Sequence, residues 1–167
     1  MMHTSALHLP DGLDIRPARD SDRPFIESLY HTTRGDLRLI DAEPDFIETL
    51  IEQQQRAQTV GYGDQFPNAM YFIIEKQSER VGRVVIDFGH NEIRIVDIAL
   101  IPAARGRGYG TGILRALKHA AGSACAPLVL SVYKQNPAAR RLYEQEGFRV
   151  EQGDQMVDQM VWYPSYS

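Results

Sequence analysis

The sequence predicts a mixed α/β (α+β) fold: a mostly antiparallel seven-stranded sheet with helices on both faces. Three observations carry this. Residues 69–100 read as three short strands separated by tight polar turns, the pattern of a meander. Leu128–Val132 reads as a continuous, fully buried strand between two helical patterns. Between an apolar run, Ile93–Ile101, and a helical pattern, Ile113–Ala121, lies the glycine-rich stretch Arg105-Gly106-Arg107-Gly108-Tyr109-Gly110-Thr111-Gly112.

Composition bounds the rest. A length of 167 residues suits one domain with a real core, and 43% apolar and 24% charged residues are ordinary for a globular chain. A net charge of −4 argues against a general nucleic-acid binder. The one cysteine, Cys125, has no internal disulfide partner and no catalytic partner in view. The N-terminus lacks a basic region followed by an apolar core, and no apolar run reaches the ~18 residues of a membrane span. The expectation is a cytoplasmic protein with no membrane partner.

Residues 1–12 are expected to be a loose lead-in, with a single domain over 13–167. Leu13-Asp14-Ile15-Arg16 alternates as a first strand. Asp20 or Ser21 is a candidate cap for a helix with Pro24 in its first turn and Phe25, Ile26, Leu29 and Tyr30 as its stripe. Residues 31–43 are polar and irregular. A second helix is predicted from Pro44 to about Thr59, with Phe46, Ile47, Leu50 and Ile51 on one face, then a loop over 61–68. Strands follow at Ala69–Lys76, Arg80–Phe88 and Glu92–Leu100, and Pro102 ends the last. The helix after the glycine loop turns Ile113, Leu114, Leu117 and Ala121 inward. After Leu128–Val132, a helix opens at Asn136-Pro137 and stops near Gly147, before strands at 148–152 and 159–163. The order is β-α-α-β-β-β-α-β-α-β-β.

The glycine loop is an anion trap. The first turn of a helix leaves N–H groups without partners and carries partial positive charge. Glycines let the backbone approach a phosphate closely, and Arg105 and Arg107 add forked donors. The spacing fails the dinucleotide fingerprint, because Thr111 or Ile113 stands where its third glycine is needed. It also fails the Walker loop, which needs a lysine absent here. The pattern that fits is Arg105-x-x-Gly108-x-Gly110. Downstream stands Asn136-Pro137-Ala138-Ala139-Arg140-Arg141-Leu142-Tyr143, followed by Gly147-Phe148.

These two patterns, one helix and one strand apart, resemble the signatures of the GNAT superfamily of acyl-CoA-dependent N-acyltransferases, most strongly over residues 81–150. The resemblance implies a sheet splayed between strands 4 and 5, and an acetyl-CoA cosubstrate with no metal. It places the pyrophosphate on Arg105, Gly106, Arg107, Gly108, Tyr109, Gly110 and Thr111, and the pantetheine arm along Ile98, Ala99 and Leu100. The Leu100 amide is the implied contact for the thioester carbonyl. It also allows a homodimer through the last strands.

Tyr143 is the residue selected as general acid: a phenol of pKa about 10 keeps its proton until a thiolate forms beside it. The other reading is an aromatic packed on the inner face of its helix beside Phe148. Asn136 is an N-cap before a first-turn proline and also a candidate cofactor contact. For the base, Glu92 and Asp97 stand on the central strand. Strict alternation puts Ile93, Ile95, Asp97 and Ala99 on one face and Glu92, Arg94, Val96 and Ile98 on the other. Asp97 is selected, against a reading in which it only pairs with an arginine or a backbone donor. Many family members have a glutamate where this chain has Arg94, which leaves a water relay open.

The acceptor pocket is expected around residues 31–43 and 61–68, with Asp36, Asp41, Glu43 and Asp64 to draw an amine and Tyr62, Phe66 and Tyr71 as walls. An amino acid, a polyamine, an aminoglycoside-like drug and a protein amine all stay open, as does an acyl group longer than acetyl. The alternative function is a non-catalytic acyl-CoA-binding or partner-binding module of the same fold.

Overall fold

The computed structural model describes residues 9–10, 12–33 and 43–165. Strands are β1 (Leu13–Pro17), β2 (Met70–Lys76), β3 (Glu79–Phe88), β4 (Ile93–Leu100), β5 (Leu128–Tyr133), β6 (Arg149–Gly153) and β7 (Val157–Trp162). Helices are α1 (Arg23–Thr32), α2 (Pro44–Gln65), α3 (Tyr109–Ser123) and α4 (Pro137–Gln145). They form one sheet in the order β1-β2-β3-β4-β5-β7-β6. Among the described residues only β4 and β5 run parallel. The predicted order and sheet class are those observed.

Period-two alternation splits the strands between two faces. Ile15, Phe72, Ile74, Val84, Ile86, Leu128, Leu130 and Met160 build a core with Ile113, Leu114, Leu117 and Ala121 of α3. Leu142 and Tyr143 of α4 pack against this cluster. Ile73, Val85, Val129 and Val161 are equally buried but lie outside it, on the face covered by Ile47 and Ile51 of α2. Burying a side chain such as Ile51, fully excluded from solvent, contributes about 2 kcal/mol. Of the lead-in, Leu9 packs on the core, and Pro10 lies 3.0 Å from where a Cβ on Gly112 would stand.

Four local expectations are corrected. The loop placed at 61–68 is helix as far as Gln65. Gly61 and Gly63 are not among the residues with positive φ, so they are helical at a cost of about 1 kcal/mol each. Phe46 is exposed, because the buried stripe of α2 is only Ile47 and Ile51 wide. Neither Asp20 nor Ser21 caps α1: the two sit in a 3-10 turn with Asp22, and the helix starts at Arg23 without a side-chain cap. Ser131 interrupts the burial of β5 and is exposed. Among the described residues, no helix is long and apolar enough to cross a membrane.

Candidate active site

One residue breaks the rhythm of β4. Ile95 pairs with Ile86 and Asp97 with Val85, so Val96 is an extra residue, a β-bulge. This corrects the strict alternation expected for the strand. Ile93 and Ile95 face the α3 core, and past the bulge Ile98 and Leu100 continue that face. Arg94 already lies on the opposite, α2 side, and the bulge sends Asp97 to join it. The bulge flips the backbone as well. Ile101 N–H donates to Val81 O, so alternation turns the N–H and C=O of Leu100 and Ile98 away from β3 and toward β5.

At that level β5 has already diverged. β4 and β5 pair only from Ile93 with Leu128 to Ile95 with Leu130. The end of β4 therefore presents backbone groups to a gap, and such groups need partners. Arg105 Nε donates to Leu100 O at 3.1 Å from the exposed side of that gap.

A cleft of about 720 Å³ runs from the glycine loop along Ile98, Ala99 and Leu100 to Tyr143. Gly106 (φ +73°) and Gly108 (φ +82°) hold the left-handed conformations that shape the loop, and open space lies where their Cβ atoms would be. Gly108 is the N-cap of α3, and the first backbone bond into the helix is Gly112 N–H to Gly108 O. Among the described residues, the N–H groups from Gly106 to Thr111 have no backbone acceptor. Free amides, a helix N-terminus and Arg105 together suit a diphosphate. Thr32 and Thr33, at the end of α1, close the opposite wall. Arg107 points elsewhere: its Nε donates to Ala103 O at 2.9 Å, and it does not line the cleft.

A second cleft, of about 510 Å³, opens on the α2 side. Tyr62 and Phe66 line it from the end of α2, Arg94 and Asp97 from β4, Ser131 and Tyr133 from β5, and Gln159 from β7. The two clefts share Ile98, Asn136, Ala139 and Tyr143, so they meet at the mouth of the β4–β5 gap. Asn136 caps α4, its Oδ1 accepting from Ala139 N–H at 3.2 Å. Tyr143 sits edge-on to Phe148, with ring centres 6.0 Å apart. Burial, and then the charge of Asp97, push its phenol above the usual range, so it holds its proton firmly. Burial and the same charge raise Tyr62 further.

Asp97 is the only carboxylate among the residues that line the second cleft. Its Oδ2 accepts from Arg83 Nη2 at 2.6 Å, and the two side chains are 24% and 11% exposed. Glu92 pairs with Arg94 and lines neither cleft. Glu43, Asp64 and Tyr71 also line neither, and Asp36 and Asp41 lie outside the described residues. Sequence reasoning missed Tyr133 and Gln159, and it expected Thr32 and Thr33 only as part of the 31–43 segment of the acceptor pocket, whereas they line the first cleft. Extending the alternation of β5 by one residue would have found Tyr133.

Residues 26–148 match the family model described as the acetyltransferase (GNAT) family. The fold is similar to the PaiA N-acetyltransferase of Thermoplasma acidophilum, solved in complex with coenzyme A, at 17% identity and a TM-score of 0.67, over 90% of this chain and 98% of that one. It is similar to an acetyltransferase of Salmonella typhimurium that modifies the N-terminal serine of a 50S ribosomal subunit protein, at 15% identity and a TM-score of 0.66, over 95% and 99%. A third similar structure is the spermidine/spermine N-acetyltransferase SpeG of Vibrio cholerae, at 21% identity and a TM-score of 0.63, over 92% and 95%.

Proposed function

The chain belongs to the GNAT acetyltransferase family, and from that premise we propose that it moves an acetyl group from acetyl-CoA to a primary amine by direct attack. One observation carries the reading: a phosphate-suited cleft and a carboxylate-bearing cleft meet at a protonated tyrosine.

The loop amides from Gly106 to Thr111, with Arg105, hold the pyrophosphate. The inward-facing groups of Ile98 and Leu100 pair with the pantetheine amides across the β4–β5 gap, and Ala99 spaces them. Bound there, acetyl-CoA supplies an activated acyl group as a thioester. Of the N–H groups turned into the gap, that of Ile98 lies where the two clefts meet beside Tyr143, so it is the donor to polarise the thioester carbonyl. The Leu100 N–H, which lines only the cofactor cleft, is left to the pantetheine. Asp97 draws the acceptor ammonium into the second cleft and receives its proton, directly or through a water. Tyr143, at the junction, returns a proton to the departing thiolate. Its raised pKa keeps that proton available across the neutral range. Asn136 holds the start of α4, and so the placement of Tyr143, while its amide edges the cofactor cleft.

The test is thiol release from acetyl-CoA across an amine panel by the parent and by Tyr143→Phe. Phenylalanine keeps the contact with Phe148 and removes the proton, so kcat is expected to fall about 100-fold with coenzyme A binding retained. Full turnover in the variant would end the assignment of Tyr143. Coenzyme A binding with no turnover on any amine would leave the non-catalytic module as the reading.

A further inference from the structure

We propose that the acceptor carries a carboxylate beside its amine, and that Arg94 reads it. The inference rests on the acetyltransferase reading and deepens it to a substrate class: free amino acids and similar small amino-carboxylic acids.

The bulge at Val96 is what makes this geometry. It brings Arg94 and Asp97 to the same side of β4, so the second cleft has one cationic and one anionic side chain along a single wall. Asp97 lies toward the end shared with Tyr143. Arg94 lies at the end where Phe66 closes α2, its guanidinium 5.9 Å from that ring. An amine held at Asp97 leaves the rest of the molecule to run along the wall toward Arg94.

Arg94 is not satisfied by the protein. Its side chain is 17% exposed, yet both of its hydrogen bonds use one nitrogen: Nη2 to Glu92 at 3.2 Å and to Gln159 at 3.5 Å. Glu92 is 42% exposed, so that pair is screened and weak. Among the described residues Nε and Nη1 have no acceptor. A guanidinium has five donors arranged to match a carboxylate edge-on, and Nε and Nη1, which are not among the buried atoms without a partner, stay open to a ligand anion from the cleft. A purely cationic acceptor such as a polyamine meets repulsion at the same place.

The experiment uses coenzyme A-loaded protein and matched pairs: the twenty protein amino acids and their carboxamides, which keep the amine and lose the negative charge. Calorimetry reads binding, and acetyl-CoA turnover reads kcat/KM. At least one free acid is expected to exceed its amide about 10- to 100-fold on both readouts. Arg94→Met should erase the difference through KM, and Arg94→Lys should restore part of it. Equal or better use of the amides, or binding of neither set, overturns the proposal. Turnover of plain amines in that case leaves the acetyltransferase reading standing. Binding that prefers the acids without turnover supports Arg94 and sinks catalysis instead, so the two failures are told apart. The comparison of acids with amides is made on the parent, so it survives a variant that does not fold.

Discussion

Asp97 and Arg83 face each other across the β3–β4 pairing, with 2.6 Å between Oδ2 and Nη2. Arg83 leans on that contact. Its Nε is buried without a partner, and its other bond, to Gln58 on α2, is 3.4 Å long. Replacing Asp97 with Asn therefore strands a charge, and it should lower unfolding free energy by about 3 kcal/mol in urea titration. Asp97→Asn combined with Arg83→Met removes both charges and should recover most of that loss. Activity should not recover, because the cleft still lacks its carboxylate. Return of stability and activity together would reduce Asp97 to a partner for Arg83.

Asp22 is a fully buried acid whose loss would also be felt. It is 1% exposed and takes two bonds of 2.8 Å from Arg16, one of 2.8 Å from Arg19 N–H and one of 3.2 Å from Arg80. The Arg16 fork, more than any other partner, holds its carboxyl well below the usual carboxylate range. A depressed folded-state pKa means the contribution is complete above the ordinary value near 4 and is lost as pH falls through and below it. Stability should thus decline steadily from about pH 5 downward. Asp22→Asn should cost about 3 kcal/mol at pH 7 and flatten that acid limb. A variant with the parent's acid slope would show the fork to be inert.

The fold was legible because its signals are local and redundant. The meander, the two proline-started helices and the glycine loop each state their own conformation. The site was legible only in part. Tyr143, Asn136 and the loop carry motif spacing, whereas the Val96 bulge leaves no mark among Ile93, Arg94, Ile95 and Val96. Period-two reasoning therefore assigned Asp97 to the wrong face. Gly61 and Gly63 misled in the opposite sense. Local propensity reads them as a turn, and α2 overrides it with Tyr62 and Phe66 placed along the second cleft. Tertiary placement of this kind is invisible to a window of neighbours.

Tyr62 and Tyr143 give an alkaline prediction. Burial chiefly, and Asp97 next, raise both phenols above their ordinary value of 10. Below pH 10 they are neutral in both folded and unfolded chains and no stability is at stake. Above it the unfolded chain releases protons that the fold retains, so stability falls as pH rises. Melting temperature measured from pH 8 to 11 should hold and then drop past about pH 10. Tyr62→Phe should lessen the drop. The same shift implies no loss of kcat from ionisation of Tyr143 anywhere below that pH. A basic limb near neutrality that vanishes in Tyr143→Phe would contradict it.

Gly108 separates the cost of folding the loop from the cost of blocking its ligand. At φ +82° an alanine is strained by about 1–2 kcal/mol, although its Cβ meets no heavy atom of the protein within 4 Å. The empty space is where a phosphate would approach the amides of α3. Gly108→Ala should therefore lower unfolding free energy by about 1.4 kcal/mol while weakening coenzyme A by more than the tenfold that this energy represents. Gly61→Ala is the contrasting case. That glycine lies in right-handed helix with open space around it, so the change should stabilise α2 by up to about 1 kcal/mol and leave coenzyme A binding alone. If coenzyme A affinity in Gly108→Ala fell only in step with stability, the left-handed turn would serve the fold and the phosphate would have to sit elsewhere along the cleft.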